Sequence, residues 1–315
     1  MAAHTVLGIV IPCYNEEEVI QLCAEKMLQL LDKYILSKRI SDQSFIGFVD
    51  DRSNDNTWQI LRGMAGSKRI KAIRLASNRG HQYALFAGLM EYCNLADCLV
   101  SLDADLQDDM EVISDMIERY EQGNQVVYGV RKRRMKDTSF KRISAQGFYR
   151  MLKFFDATVI YNHADFRLTS RKVNTALKDF PEVNLYLRGI FPLMGFDSAI
   201  VFYERKARMA GVTKYPVRKM ISLALDGITS FSTVPLRIIS IIGFFVFVFC
   251  VFLMGYALLA YIQHKTIPGW FSTVLPFYFL GGIQILCIGI LGEYMGKIYK
   301  EVKRRPRYII DERLP

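Results

Sequence analysis

The chain has 315 residues, is 51% hydrophobic, contains 21 Phe and 17 Tyr, and carries a formal net charge of +10. That length buries a full core with room for a further element, and the apolar and aromatic content excludes a disordered chain. Six cysteines, at 13, 23, 93, 98, 250 and 287, form no CxxC pair and the four histidines are scattered, so neither a zinc site nor a disulfide framework is implied.

The chain begins with a strand, HTVLGIVIP, too short for a secretory signal and running straight into the acidic CYNEEE. An amphipathic helix over EEEVIQLCAEKMLQLLDKY follows, then a second strand, SFIGFVD, and a polar cluster, DDRSNDNT. IKAIRLA, DCLVSLD and QVVYGV read as further strands, with a helix over MEVISDMIERYEQG between the last two. This alternation predicts an α/β fold with a mostly parallel sheet covered by helices on both faces. Ligands of such sheets bind at the carboxyl ends of strands, so CYNEEE, DDRSNDNT and DADLQDD are expected to meet at one edge.

Four aspartates within DADLQDD repel one another unless a cation holds them. Asp103 and Asp105 stand two apart at a strand end, so their side chains point the same way. Two carboxylates on one side make a hard oxygen site suited to Mg²⁺ or Mn²⁺, above all when a diphosphate supplies further ligands. A solvated loop is the alternative for so short a pattern. Asp108 and Asp109 are read as the start of a helix, where acids are favourable.

From 131 to 170 the rhythm weakens. The segment 131–142, RKRRMKDTSFKR, has seven bases and one acid; 297–315 has seven bases and three acids, and together they account for the whole excess charge. The first is expected to face anionic lipid or phosphate. Nucleic acid competes as a partner, but interleaved stacking aromatics and a reader motif are missing, so none is expected.

An amphipathic stretch, VRKMISLALDGITSFSTVPLR, follows. Its Met220, Leu223, Leu225 and Ile228 suit a membrane interface and Arg218 and Lys219 its headgroups; an ordinary packed helix fits equally. Then come two runs without a charged side chain, 238–262 and 266–292. Each is long enough to cross a hydrocarbon core of about 30 Å. Two buried helices of a soluble domain are the alternative. The link QHKTIPGW holds Pro268 and Gly269, as a tight hairpin requires, and Tyr261 and Trp270 mark an interface. One base in the link against seven after Gly296 places both termini in the cytoplasm. The expected parts are 1–215 cytosolic, 216–235 juxtamembrane, 236–296 a two-helix transmembrane hairpin and 297–315 a basic cytosolic tail, in a plasma (inner) membrane protein.

IVIPCYNEEE, VDDRSNDNT, NRGHQYALFAGL, SLDADLQD, ADFRL and RMAGVTKY together resemble, in order and over nearly the whole chain, the family 2 glycosyltransferases. The resemblance is to the branch that uses polyprenyl phosphates. It implies a GT-A-type nucleotide-sugar-binding domain and an inverting enzyme that passes a sugar from a UDP-sugar, glucose or a relative, to polyprenyl (undecaprenyl) phosphate. Pro12, Tyr14, Asn15 and Glu16 would line a uridine slot, and Asp51 would accept from the uracil ring. Asp103 and Asp105 would hold the metal. Asp165 would lie near the acceptor as an orienting or charge-stabilising group, because a lipid phosphate is already an anion and needs little deprotonation; a structural salt bridge with Arg167 is the other reading. Arg131, Arg205, Arg208 and Lys214 are the candidates for the acceptor phosphate. A homo-oligomer is implied as well. The chain departs from the family pattern at Arg52, where Gly is usual, in lacking prolines after DLQ, and ahead of Asp165. A processive polysaccharide synthase and a silent nucleotide- or lipid-binding module remain as alternatives; the chain lacks the QxxRW motif of the first.

Overall fold

The computed structural model describes residues 4–64, 66–131, 163–182, 185–204, scattered positions between 239 and 252, and 270–315. The first strand, β1 (Leu7–Cys13), is buried at every position, which is why it reads as an unbroken apolar run. Helix α1 (Ile20–Leu36) packs through Ile20, Cys23, Ala24, Met27, Leu30, Leu31 and Tyr34, spaced three and four apart. Each fully buried side chain the size of Leu31 contributes about 1.5–3 kcal/mol. Strand β2 (Phe45–Asp50), helix α2 (Thr57–Met64) and strand β3 (Ile70–Leu75) complete the first half of the sheet.

Helix α3 (His81–Tyr92) lies on β1 and β2 at very short range. A Cβ at Gly88 would stand 2.4 Å from Val10 and 2.7 Å from Val49, so glycine is required there. At Gly47 a Cβ would meet the Tyr92 ring at 2.3 Å, and the Tyr92 hydroxyl donates to the Phe48 carbonyl at 3.3 Å. β4 (Cys98–Ser101) precedes a 3₁₀ turn (Met110–Val112) and α4 (Ile113–Glu121), followed by β5 (Val126–Arg131). β6 (His163–Ser170), α5 (Arg171–Ala176), α6 (Leu187–Leu193) and β7 (Ser198–Tyr203) close this part of the chain.

The eight strands form one sheet in the order β7-β5-β6-β4-β1-β2-β3-β8, where β8 is Ile310–Leu314. Six run one way; β6 and β8 run against their neighbours. The mostly parallel sheet and its five apolar-run strands thus match expectation, while β6, β7 and β8 were not anticipated.

The chain divides into two compact units. One comprises Met1–Lys153, Thr158–Pro216 and Arg305–Pro315, the other Phe154–Ala157 and Val217–Arg304. The segment 297–315, read from sequence as one basic tail, is therefore split: its last residues pair antiparallel with β3 as the edge strand of the sheet. In the second unit, α7 (Trp270–Val302) is 33 residues long. Its stretch Phe279–Val302, of mean hydropathy 1.5, is the one helix among the described residues long and apolar enough to cross a membrane. The 238–262 run is helical at its described positions, and the amphipathic 217–237 stretch lies outside the described residues.

Candidate active site

Strands β4, β1 and β2 are parallel neighbours, so the loops after them emerge side by side. The loops after β1 and β2 are laced together by short polar side chains. Asn15, at φ 53°, donates its amide to Ser53 Oγ at 3.0 Å, and its Oδ1 accepts from the Asn54 amide at 2.9 Å. The Glu16 amide donates to Thr57 Oγ1 at 2.9 Å, and Glu17 Oε2 accepts from the Asn56 amide at 2.9 Å. Tyr14 is exposed above this lacing. Pro12 is a buried strand residue opposite Val49, at the end of β1 where this loop begins.

Asp50 and Asp51 differ in task. Asp50 is fully buried and accepts from the Ser53 amide and from Arg74 Nε at 3.1 Å; burial raises its carboxyl despite these partners. Asp51 reaches across to the approach of α3, accepting from the Arg79 amide at 2.8 Å and the Gly80 amide at 2.7 Å. Burial raises its carboxyl too, against those two bonds. A carboxylate has about four acceptor positions, so capacity remains for a ligand N–H.

Asp103 and Asp105 follow β4, both half-buried, with Asp105 Oδ1 accepting from the Gln107 amide at 3.2 Å. Burial pushes the Asp103 carboxyl up; nearby His81 opposes this, while Asp165, Asp108 and Asp105 add to it. A crowded acid cluster of that kind is relieved by a cation, and its hard oxygen donors fit Mg²⁺ or Mn²⁺. Among the described residues no group of three or more His, Cys, Asp and Glu side chains is placed to hold a metal ion by itself.

Because β6 runs antiparallel beside β4, with Ser101 opposite Arg167, Asp165 comes next to the β4 loop. It is 5% exposed and fully engaged. Arg167 Nη2 lies at 2.6 Å, Arg188 donates from Nε at 3.1 Å and Nη2 at 2.9 Å, and Gln82 Nε2 donates at 3.2 Å. His81 Nε2 stands between two acids, 3.4 Å from Asp165 and 3.6 Å from Asp103. Burial alone would raise the Asp165 carboxyl, but the His81 hydrogen bond and the two guanidiniums hold it well below the usual carboxylate range. The hydrogen bond to Asp165 and the charges of Asp103 and Asp165 raise His81 in spite of its burial and of nearby Arg188. Asp165 is therefore ionised at neutral pH. The anticipated Arg167 partner is present, and Arg188, His81 and Gln82 join it.

Asp108 corrects the sequence reading. It is buried, and in place of opening a helix it accepts from the Tyr203 hydroxyl at 2.6 Å and from Arg131 Nη2 at 3.3 Å. Asp109 is the residue that precedes the 3₁₀ turn, and its side chain makes no capping bond. Arg131, expected at an acceptor phosphate, also donates Nε to Tyr203 at 3.0 Å, which commits much of its fork to the protein. Arg205, Arg208 and Lys214 lie outside the described residues.

His81, Gln82 and Arg188 were missed. The first two sit within the NRGHQYALFAGL motif, which carried resemblance but no assigned role, and Arg188 had no sequence signal at all.

The profile of Glycosyl transferase family 2 matches residues 8–177, and that of the GtrB C-terminal hairpin matches 234–298. Uncharacterized glycosyltransferase YkoT of Bacillus subtilis is 48% identical, over 98% of this chain and 92% of its own. Bactoprenol glucosyl transferase of Shigella phage SfX is 37% identical over 98% of this chain and 99% of its own. Among solved structures, glucosyl-3-phosphoglycerate synthase from Mycobacterium tuberculosis superposes with a TM-score of 0.49 at 18% identity, over 72% of this chain and 79% of its own. With the family profile covering more than half of the chain, including the loops after β1, β2 and β4, and relatives aligned almost end to end, the chain belongs to glycosyl transferase family 2.

Proposed function

We propose that the protein is an inverting glycosyltransferase that moves a sugar, glucose in the first instance, from a UDP-sugar to polyprenyl (undecaprenyl) phosphate at the cytosolic face of the membrane. The observation that carries this reading is the juxtaposition, at one sheet edge, of the Asp51 loop, the Asp103–Asp105 pair and the Asp165 clamp. Bactoprenol glucosyl transferases that align over nearly the full chain support the acceptor class.

The 14–17 and 51–57 loops would seat the nucleotide, with Asp51 accepting from the base. Asp103 and Asp105 would hold a divalent ion, which when bound supplies charge neutralisation at the departing diphosphate. The phosphate oxygen of the lipid attacks C1 as the C1–O bond to the diphosphate breaks, so UDP leaves and an α-linkage becomes β. The nucleophile is already anionic, so no base is required, in keeping with an Asp165 held ionised by two guanidiniums. Asp165 instead fixes the Arg188 guanidinium and the His81 imidazole, which also stands 3.6 Å from Asp103. Arg205, Arg208 and Lys214, with what remains of Arg131, would receive the lipid phosphate.

The 236–296 segment would be a transmembrane hairpin with both chain ends in the cytosol. Support comes from the hairpin profile and from α7, where Phe277, Phe279, Ile285, Ile288 and Leu291 are exposed on a surface that water would penalise. The hairpin then keeps the enzyme where its lipid acceptor is concentrated.

The test is to incubate membranes bearing the protein with labelled nucleotide sugars, with and without EDTA, and identify the lipid product. A single sugar on polyprenyl phosphate, formed from UDP-glucose and suppressed by EDTA, is expected. A polymer, or no lipid-linked sugar from any donor, refutes the reading.

A further inference from the structure

Arg52 stands between Asp51 and Ser53, the two residues that carry the Asp51–Gly80 and Ser53–Asn15 contacts, and its φ is 60°. That left-handed conformation crowds an L side chain, and Arg lacks the local hydrogen bond that lets Asn adopt it cheaply. What Arg52 does have is a distant partner. Its Nη1 lies 2.6 Å from Asp311 Oδ2, on the last strand of the sheet. The next residue, Glu312, accepts from Trp58 Nε1 at 2.8 Å and pairs with Arg62, both on α2. From β3, Arg74 donates to the Ser53 carbonyl at 3.2 Å. The strand β8 therefore grips the outer side of the loop whose inner side is laced to residues 14–17, and its grip on Arg52 acts on the strained residue itself.

We propose that Asp311 is a positioning residue for the sugar-nucleotide donor: by holding Arg52 in the left-handed conformation it keeps Asp51 and Ser53 aligned for the nucleotide. This rests on the reading of the 14–17 and 51–57 loops as the nucleotide seat. Asp311 touches no substrate; it acts through Arg52. Glycine at 52 would adopt the same backbone without help, so the tether matters only while an L residue occupies the position.

The full chain in detergent, with Mg²⁺ present, is titrated with UDP by calorimetry, and melting is followed in parallel. Asp311→Ala, Asp311→Asn and Arg52→Ala each remove the tether and are expected to weaken UDP binding about three- to fivefold, the scale of one half-exposed ion pair. Arg52→Gly, alone or combined with Asp311→Ala, is expected to bind UDP within about twofold of wild type by the same scale. A purely structural loss of charge would treat Ala and Gly at 52 alike. Equal UDP affinity in Arg52→Ala and wild type, or failure of Arg52→Gly to rescue Asp311→Ala, overturns the proposal while leaving the nucleotide seat intact. A wild-type protein that binds no UDP overturns the seat itself and, with it, the tether.

Discussion

Replacing Asp165 with Asn removes one negative charge from a place where Arg167, Arg188 and His81 all face it. The side chains of Arg167 and Asp165 are both buried, and removing one partner of a buried pair costs about 3–5 kcal/mol. Arg188 is 37% exposed, so solvent screens its share to less than about 1 kcal/mol. At about 2–4 °C per kcal/mol for a domain of this size, the apparent Tm should fall by about 6–20 °C. Scanning fluorimetry of the detergent-solubilised protein measures this directly. The pH dependence separates the anchoring role from a general base. A carboxyl held below its ordinary value of about 3.9 contributes stability above that pH and loses it only as pH falls through the lower folded value. Asp165 therefore stays charged throughout the neutral range and gives the rate no acid limb there. The double variant D165L/R167M, which replaces the pair with apolar groups, should regain much of the lost Tm without regaining activity. An Asp165→Asn protein that melts within about 2 °C of wild type, less than the shift expected for 1 kcal/mol, would refute the reasoning. So would a wild-type rate profile whose acid limb, at about pH 5–7 as for a tuned general base, disappears in that variant.

Asp105→Asn should lower sugar-lipid formation by two orders of magnitude or more, about 3 kcal/mol of transition-state stabilisation, with little change in Tm; full activity would remove the pair from the metal site. His81→Gln tests the imidazole between the two acids. A raised His contributes stability fully below about pH 6.5 and loses it as pH climbs through the higher folded value. Wild-type Tm should thus decline with pH above that point while the Gln variant stays flat, and parallel curves would sink the idea. Gly88→Ala should cost about 1–3 kcal/mol of stability, read as a lower Tm, because its methyl would drive Val10 and Val49 apart; an unchanged Tm would mean that α3 does not lie as close to the sheet as described.

Strands β1 to β5 were legible because burial on both faces writes a short apolar run. β6 was not, because its buried positions include Asp165, Arg167 and Thr169, and a strand whose core is an ion pair reads as a polar loop. β8 failed for a related reason. Asp311, Glu312 and Arg313 find their partners at Arg52, Trp58 and Glu91, more than two hundred residues earlier, and no local pattern reports such distant pairing. The acid clusters after β1, β2 and β4 were legible as a site because parallel topology fixes where strand ends meet. The cations that balance them were only half legible. Arg167 sits two residues from Asp165 on the same strand, whereas Arg188 arrives on helix α6.

The strand order has a consequence for biosynthesis. The outer edge of β3 gains its neighbour only from β8, and everything between Tyr203 and Ile310 must be made first. During translation the half-finished sheet leaves a row of backbone donors and acceptors open beside the ribosome, a template for the wrong neighbour. The charged side chains of β8 that make it a poor strand in isolation also match it to the β3 edge, which is flanked by Arg52, Arg62 and Glu91 from the neighbouring loop and helices.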